Sequence, residues 1–486
     1  MTPQGWFKSS DMIELRQGVQ PGLLLINRTS RSFVTLTEQQ ASAWESWDCE
    51  GVNGALSELA SAGLVFQAPS LPAGEPSALD EATPSLPQRA RWYEESPGMA
   101  VLFRRDSVQT LVLGPYATHC WKRMAAGATI GEMRISARRI FNRDEVIPIL
   151  RSLMGLGWID PVAGLDGRPP YPGHILRELY VPGIHYWLPH TSIPWSCDWE
   201  LNTVCNLRCV HCYLPDHAQQ GLELDTALEV ADALAAAGIP YVNLLGGEVL
   251  LRKDLERIVE RLRNGGVYVS MVSNGVLLTA ERARALAEAG VQRLMLSLDG
   301  MNASVHDAIR GAGNFERTTR GIQNALDAGI PNVAIVWTVH TGNVSELPAI
   351  PAGLKALGLS EVCIDVFKKT GVLGSKAAFE PIDNVTINAI SATIAQWTEA
   401  DPSLTVHFEP HCTCGRTRLT IGAKGEIRLC TFQPKPAGWV GRVPILDLWR
   451  ASSPGFGAVG PVGYCASNPR VERRGEASTL AVALNS

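Results

Sequence analysis

From Leu201 onward, the chain alternates short apolar runs rich in β-branched residues with longer helical stretches. The apolar runs include YVNLLGGE, VYVSMVSNG, RLMLSLDG and VAIVWTVH, and the helical stretches between them close on glycine. Glycine is the preferred residue for the left-handed conformation that ends many helices. Repeated strand and helix units join parallel strands through right-handed crossovers. The pattern therefore predicts an α/β fold that contains a parallel barrel or part of one.

Three cysteines follow the first predicted strand of this region. The stretch ELNTVCNLRCVHCYLP places Cys205, Cys209 and Cys212 at spacings of four and three residues. Cysteine thiolates bind zinc, copper or iron–sulfur clusters, and a site with three thiolates leaves one metal position open. Two alternatives remain at this point: a zinc knuckle completed by His211, and cysteines that merely pack in a core.

Composition restricts the class of protein. A chain of 486 residues suggests two to four domains, and 45% apolar with 19% charged residues is typical of a soluble globular protein. No run of eighteen apolar residues and no signal peptide is present, so we expect a cytoplasmic protein without a membrane partner. Eleven cysteines in a reducing compartment favour metal or redox chemistry over disulfides. A net charge of -5 does not predict a nucleic-acid partner.

The C-x3-C-x2-C spacing, with Tyr213 after the last cysteine, resembles the radical S-adenosylmethionine (radical SAM) enzymes. This resemblance implies a partial (β/α)6 TIM-type barrel. It also implies a 4Fe-4S cluster that is held by the three cysteines and whose fourth iron binds S-adenosylmethionine. One electron from the cluster would then cleave the sulfonium and give a 5'-deoxyadenosyl radical, which abstracts hydrogen from an unactivated C–H bond.

The ends of the other strands resemble the same family and imply contacts to S-adenosylmethionine. Glycine would allow backbone to approach the ligand closely, and Val249 departs from the proline that the family usually has there. The implied contacts are Gly246, Gly247 and Glu248 at the methionine amino group, Ser273 and Asn274 near the ribose, and Ser297, Asp299 and Arg310 near the sulfonium or carboxylate.

The C-terminal cysteines surround a predicted hairpin, CTCGRTRLTIGAKGEIRLC, that turns at Lys424 and Gly425. The region resembles the shorter, "twitch" form of the auxiliary-cluster domains of peptide-modifying radical enzymes. That resemblance implies a small Fe-S domain with one auxiliary 4Fe-4S cluster, and zinc is the alternative, because four thiolates suit it equally well. The expected ligands are Cys414, Cys430 and Cys465, with Cys412 as the fourth.

Two segments before the barrel share a plan of short strands, a turn and a helix, and they predict tandem winged-helix-like α+β units. Winged-helix units most often bind DNA, but neither segment has a recognition helix dense in Lys and Arg. The first resembles the peptide-recognition domain of ribosomal peptide biosynthesis, related to the chaperone of pyrroloquinoline quinone formation. In that family a leader peptide adds a strand to the exposed edge of a hairpin.

The expected domain boundaries follow from these segments and from two runs rich in Pro and Gly. They are a peptide-recognition unit at 1–68, a linker at 69–97, a second winged-helix-like unit at 98–162, a linker at 163–195, the radical SAM barrel at 196–375, the auxiliary-cluster domain at 376–470 and a flexible tail at 471–486.

Together, these parts resemble a maturase that abstracts hydrogen from a ribosomally synthesised precursor peptide and forms an intrapeptide crosslink. The expected partners are the precursor peptide, bound by the N-terminal domain, and an electron donor such as flavodoxin or ferredoxin. One alternative is a radical SAM enzyme that acts on a small molecule or a protein side chain. Another is a redox-sensing DNA-binding protein. Cys197, eight residues before the motif, is either a core residue of the first strand, an extra ligand or a resolving thiol.

Overall fold

The computed structural model describes the backbone of five strands within residues 6–67, and then residues 79–87, 90–96, 99–106, 110–141, 144–163, 165, 190–408, 414–433 and 435–456. The chain divides into two compact units. Met1–Arg104 with Gln109–Pro182 form the first, and Arg105–Val108 with Gly183–Ser486 form the second. Over the described ranges, no helix has both the length and the apolar character needed to span a bilayer.

The first part of the N-terminal unit contains five short strands. Strands β1 (Trp6–Lys8) and β5 (Val65–Gln67) pair antiparallel. Strands β2 (Met12–Arg16), β3 (Leu23–Asn27) and β4 (Phe33–Leu36) form an antiparallel sheet with β3 in the centre. The hairpin predicted around INRTSRSFVTL is therefore formed by β3 and β4. The helix predicted after it lies outside the described residues.

The second part of this unit is a three-stranded antiparallel sheet followed by three helices. Its elements are β6 (Ala90–Ser96), β7 (Met99–Arg104), β8 (Thr110–Leu113), α1 (Pro115–Ala125), α2 (Ile130–Phe141) and α3 (Val146–Gly155). Tyr116 and Trp121 on α1 are fully buried in its core. Strand β6 lies inside the segment that was expected to be a linker, because its pairing with β7 outweighs the Pro-rich composition just before it.

The C-terminal unit contains the expected parallel sheet. Its strands are β9 (Ser196–Glu200), β10 (Tyr241–Leu245), β11 (Tyr268–Ser273), β12 (Arg293–Ser297), β13 (Asn332–Val339), β14 (Glu361–Val366) and β15 (Thr405–Phe408). They pair in parallel and in chain order. The α/β class and the partial barrel are thus confirmed, and β15 extends the six expected strands by a seventh. The boundary expected between residues 375 and 376 stays a prediction.

Helices connect these strands and cover the outside of the sheet. They are α4 (Leu224–Ala236), α5 (Leu255–Asn264), α6 (Ala280–Ala289), α7 (Ala303–Arg310), α8 (Asn314–Asp327), α9 (Ile350–Ala356) and α10 (Asn384–Ala400). Local signals explain their ends: the Thr279 side chain accepts a hydrogen bond from the Arg282 N–H at the start of α6, and Gly290 ends that helix with φ 94°. On α5 the buried residues recur at helical spacing, namely Leu255, Ile258, Val259 and Leu262.

The sheet continues beyond the barrel into the C-terminal region. Strand β16 (Arg418–Ile421) pairs in parallel with β9, with Leu419 opposite Cys197. Strands β17 (Glu426–Arg428) and β18 (Gly438–Trp439) then add on antiparallel, and α11 (Ile445–Phe456) follows. The predicted hairpin is present, and Gly425 adopts φ 85° at its turn.

Candidate active site

The cysteine loop, residues 201–214, follows β9 at the carboxyl end of the parallel sheet, where functional residues of such folds gather. Hydrogen bonds hold its backbone: the Thr203 Oγ1 donates to Oδ1 of Asp216, just after the loop, at 2.6 Å, and the Cys212 N–H donates to the Cys209 carbonyl oxygen at 3.1 Å. The loop therefore brings three cysteines to the mouth of the barrel on a constrained backbone.

Each of the three sulfurs has a nitrogen within hydrogen-bonding range. These are Leu207 N and Asn274 Nδ2 at 3.4 and 3.9 Å from Cys205 Sγ, Arg310 Nη1 at 3.8 Å from Cys209 Sγ, and His217 Nε2 at 3.5 Å from Cys212 Sγ. Burial raises the pKa of all three thiols, that of Cys205 to about 11. Loss of the protons is required for metal binding, and N–H groups aimed at the sulfurs favour thiolates. These donors fit an iron–sulfur cluster, whose sulfurs also accept such hydrogen bonds.

The zinc-knuckle alternative does not match the placement of His211. Its Nε2 lies 3.4 Å from Arg310 Nη2 and 3.8 Å from Asp299 Oδ2. Among the described residues, no group of three His, Cys, Asp or Glu side chains is arranged around a single-ion position. His211 thus lies beside Asp299 and Arg310, next to the cysteines.

The two glycines after β10 pack against the cysteine loop. The Gly247 N–H donates to the Asn202 carbonyl oxygen at 3.0 Å, and the Glu248 N–H donates to that of Val204 at 2.9 Å. Gly246 adopts φ 148°, and a Cβ there would lie 2.3 Å from the Asn202 oxygen; at Gly247 it would lie 2.1 Å from the Val204 oxygen. Close approach to a ligand was the expected reason for these glycines. In the structure, close approach to the backbone of the cysteine loop already requires them.

Glu248 is 1% exposed and its carboxylate is engaged by the protein. It accepts hydrogen bonds from Leu250 N at 3.0 Å, Ser273 Oγ at 2.7 Å and Asn274 N at 2.9 Å. Burial raises the pKa of Glu248, and these donors oppose the shift. The residue therefore ties the end of β10 to the end of β11. Its contact with the methionine amino group stays a prediction.

We expect Glu248→Gln to lower the free energy of unfolding of the cluster-free protein by about 1–3 kcal/mol, because an amide NH2 would replace one acceptor and face a donor in a buried site. Urea denaturation measures the change. The control is Glu346→Gln, whose exposed carboxylate accepts from Asn302 Nδ2 at 2.7 Å, and whose loss should cost less than about 0.5 kcal/mol. Equal midpoints for the two variants would contradict the anchoring role.

Three further residues predicted to contact the ligand lie in three different places. Asn274 reaches the cysteine loop, because its Nδ2 donates to Asn206 Oδ1 at 2.8 Å as well as approaching Cys205. Ser273 instead belongs to the Glu248 network and also accepts from Gly275 N at 3.0 Å. Ser297 is buried at the end of β12. Contacts of these residues with S-adenosylmethionine stay predictions.

Asp299 and Arg310 form a buried ion pair beside Cys209. Arg310 Nε lies 2.5 Å from Asp299 Oδ2, and the Thr338 N–H donates to Asp299 Oδ1 at 2.8 Å. Burial opposes ionisation of Asp299, but the Arg310 charge outweighs it and lowers the pKa of Asp299 to about 2. The carboxylate is therefore ionised at neutral pH, and the guanidinium is fixed between it and the sulfur.

Two further buried histidines lie near this pair, His306 in contact with Asp299 and His340 beside His211, and sequence reasoning missed both. His306 Nδ1 accepts from the Asp299 N–H at 3.3 Å, and the His340 ring lies 6.5 Å from that of His211. Burial lowers the pKa of His306 and His340 to about 4 and that of His211 to about 3, so all three are neutral at pH 7. The available signals were His306 one helical turn before Arg310 and His340 just after β13.

The C-terminal cysteines are described in part. Cys414 and Cys430 are 9% and 6% exposed and flank the hairpin of β16 and β17. Cys412 and Cys465 lie outside the described residues, so the auxiliary ligand set stays a prediction. The hairpin is tied to β9 by polar groups: Thr431 Oγ1 donates to Asp198 Oδ2 at 3.2 Å, and Arg428 Nη2 donates to Glu200 Oε2.

A parallel partial barrel that carries three cysteines after its first strand defines a radical SAM domain, and comparisons with known proteins agree. The Radical SAM superfamily model matches residues 199–349. The AdoMet-dependent heme synthase of Methanosarcina barkeri is 40% identical over 290 residues, which cover 53% of this chain and 83% of that protein. The chain belongs to the radical SAM superfamily. Membership implies a 4Fe-4S cluster and S-adenosylmethionine as cofactors.

Other similarities cover different shares of the chain. The mycofactocin maturase MftC of Mycolicibacterium smegmatis is 36% identical over 161 residues, which cover 33% of this chain and 41% of that protein. The structure of Streptococcus suis SuiB bound to precursor peptide SuiA superposes with a TM-score of 0.54 at 12% identity, over 75% of this chain and 88% of that one. At this identity the SuiB similarity concerns the fold alone.

Proposed function

We propose that this chain is a radical SAM maturase that modifies a ribosomally synthesised precursor peptide. The observation that carries the proposal is the joining, in one chain, of a radical SAM site to an N-terminal unit built from small antiparallel sheets. Sheets β2–β3–β4 and β6–β7–β8 each have two outer strands, and an extended leader peptide can add to such a strand. The fold similarity to SuiB covers 75% of the chain, which is more than the barrel alone, and this supports the proposal.

Within the site, the chain's own residues have distinct tasks. Cys205, Cys209 and Cys212 would hold the cluster, which when bound supplies the electron that cleaves S-adenosylmethionine. Asn274 and Arg310 direct N–H groups at two of the sulfurs and so favour the thiolate form. Leader binding would raise the effective concentration of the core peptide at the barrel mouth.

The more specific part of the proposal is the reaction type, formation of a crosslink within the peptide. Joining two peptide positions with loss of two hydrogens is a net oxidation, and it requires an acceptor for a second electron. An auxiliary cluster that includes Cys414 and Cys430 would provide that acceptor, and flavodoxin or ferredoxin would reduce the cluster in the barrel. Both cysteines are buried beside strands that continue the barrel's own sheet, which supports this placement.

A second candidate function is favoured by one observation. The heme synthase of M. barkeri matches this chain over 83% of its own length, a larger share than MftC does. On this alternative the chain acts on a small molecule related to heme, and the N-terminal unit serves to dock a partner.

One experiment separates the two candidates. The full chain is co-expressed with a small peptide encoded beside its gene, and the peptide is analysed by mass spectrometry. We expect the peptide to lose two hydrogens, about 2 Da, as a crosslink requires, and we expect labelled peptide to bind the purified chain. An unmodified peptide together with heme formation from an iron porphyrin precursor would overturn the maturase proposal. A Cys205→Ala chain is the control for modification by host enzymes.

A further inference from the structure

A short segment after β14, residues 370–374 with the sequence TGVLG, runs directly against the third cysteine. We call this segment the strap. The Val372 N–H donates to the Leu214 carbonyl oxygen at 2.9 Å, and the Gly374 N–H donates to that of Cys212 at 2.9 Å. Two backbone hydrogen bonds thus join the strap to the last part of the cysteine loop.

The two glycines of the strap allow this contact. Gly371 adopts φ 78°, and a Cβ there would lie 2.3 Å from the carbonyl carbon and oxygen of Tyr213. At Gly374 a Cβ would lie 2.9 Å from the Cys212 oxygen and 3.0 Å from the His211 oxygen. The atoms that would clash are backbone atoms, so a rotamer change cannot relieve the clash. A side chain at either position would have to push the strap and the loop apart.

The loop is also held on the side of β9. The Tyr213 hydroxyl donates to Glu200 Oε1 at 3.1 Å, and its ring meets that of Phe432 edge-on, with centroids 5.5 Å apart. Glu200 is in turn paired with Arg428. Residues 212–214 are therefore fixed by the strap through the backbone and by the barrel and hairpin through the Tyr213 side chain.

We propose that the strap is a positioning element for the cluster: it fixes the backbone of Cys212 so that its sulfur meets the third iron. Cys205 and Cys209 receive N–H donors from Asn274 and Arg310, on other strand ends and helices. Cys212 Sγ has His217 Nε2 at 3.5 Å, and its backbone is held on both sides: the Cys212 N–H donates to the Cys209 carbonyl oxygen, and the Cys212 carbonyl oxygen accepts from the Gly374 N–H of the strap. A site with three protein ligands tolerates little displacement of one of them. The inference concerns the cluster and is independent of the substrate.

Gly371→Ala and a matched glycine test the proposal. Gly329 adopts φ 73°, close to that of Gly371, but no atom lies within 4 Å of a Cβ built there. Gly371→Ala and Gly329→Ala therefore share the backbone strain of a positive φ and differ in the clash with the cysteine loop. Both full-length variants are reconstituted anaerobically, and iron loss to a chelator and the melting temperature of the cluster-free protein are measured.

We expect Gly371→Ala to lose iron about tenfold faster than Gly329→Ala, as when the groups supporting a metal ligand are removed. The signal of the reduced cluster that responds to S-adenosylmethionine in electron paramagnetic resonance should fall in parallel. The melting temperatures of the two cluster-free variants should agree within about 3 °C, because the shared strain has a similar cost in both and separation of the strap from the loop relieves the clash of Gly371→Ala locally. Equal rates of iron loss would overturn the proposal.

If Gly371→Ala does not fold, Gly374→Ala tests the proposal in its place, because the clashes of a Cβ at Gly374 are milder. This variant should lose iron faster than Gly329→Ala while melting at a similar temperature. If Gly374→Ala retains iron as Gly329→Ala does, the proposal fails. It fails equally if both strap variants are unfolded without the cluster, because the strap would then stabilise the fold and have no particular role at the cluster.

Discussion

A Cys209→Ala variant is expected to form no 5'-deoxyadenosine above background when it is incubated anaerobically with dithionite and S-adenosylmethionine. The three cysteines of the loop are the thiolates that a radical SAM cluster uses, and loss of one leaves two. The variant also removes the sulfur that Arg310 Nη1 approaches at 3.8 Å, so the guanidinium would lose this contact. Chromatography of the quenched reaction measures the product.

Cys197→Ala is the matched control. Cys197 is fully buried within β9, opposite Val242 on one side and Leu419 on the other. Its replacement removes only a small buried group, so we expect a stability loss of about 1 kcal/mol and product formation near that of the unaltered chain. Product formation by Cys209→Ala would refute the assignment of the cluster. Loss of product in Cys197→Ala would revive its interpretation as an extra ligand.

Arg310→Met is expected to destabilise the cluster-free protein by about 3–5 kcal/mol, because it leaves the Asp299 carboxylate buried without its charge partner. Urea denaturation at pH 7 measures this loss. Arg261→Met is the control: Arg261 Nε lies 2.6 Å from Asp232 Oδ1, but the two side chains are 52% and 51% exposed. We expect little change there, because exposed pairs contribute little to stability.

The effect of Arg310→Met should also depend on pH. In the unaltered chain the pKa of Asp299 is lowered to about 2, so the pair's contribution is present above the ordinary Asp pKa and is lost as pH falls toward 2. In the variant, burial acts without Arg310 and raises the pKa of Asp299. The free-energy cost of burying the ionised carboxylate therefore shrinks as pH falls, because the carboxylate becomes protonated. The difference in unfolding free energy should therefore be smaller at pH 5 than at pH 7. An equal difference at both pH values would contradict a buried, ionised Asp299.

The order of strands in the barrel was predictable for two reasons. Hydrophobic periodicity and glycine at helix ends are local signals, and right-handed crossovers then join consecutive strands in parallel. The α/β class and strands β9 to β13 followed from them, and a sixth strand was implied by the resemblance to the radical SAM enzymes. The seventh strand is only four residues long, TVHF at Thr405–Phe408, and has no strong alternation of its own, so its pairing with β14 is a tertiary effect. Strand β6 was also missed, because the Pro-rich run before it dominates the local composition and its pairing with β7 is again a tertiary effect.

At the site, the sequence predicted which strand ends come together but not what each side chain contacts. Gly246 and Gly247 are predicted to contact S-adenosylmethionine, and this stays a prediction; their close approach to the backbone of Asn202 and Val204 is what the sequence did not indicate. The Asp299 and Arg310 pair, with His306 and His340 around it, depends on how α7 packs over the ends of β12 and β13. Such contacts arise from the relative placement of elements, which residue spacing along the chain does not encode.

Strand β9 illustrates one consequence of the continuous sheet. The first strand of an open barrel would present a row of unpaired N–H and C=O groups, which invites pairing with another chain. Strand β16 occupies that side of β9 from Ser196 to Trp199. The segment that carries Cys414 and Cys430 therefore also shields the β9 edge of the barrel from association, and the joint between the two regions is a hydrogen-bonded ladder rather than a hinge.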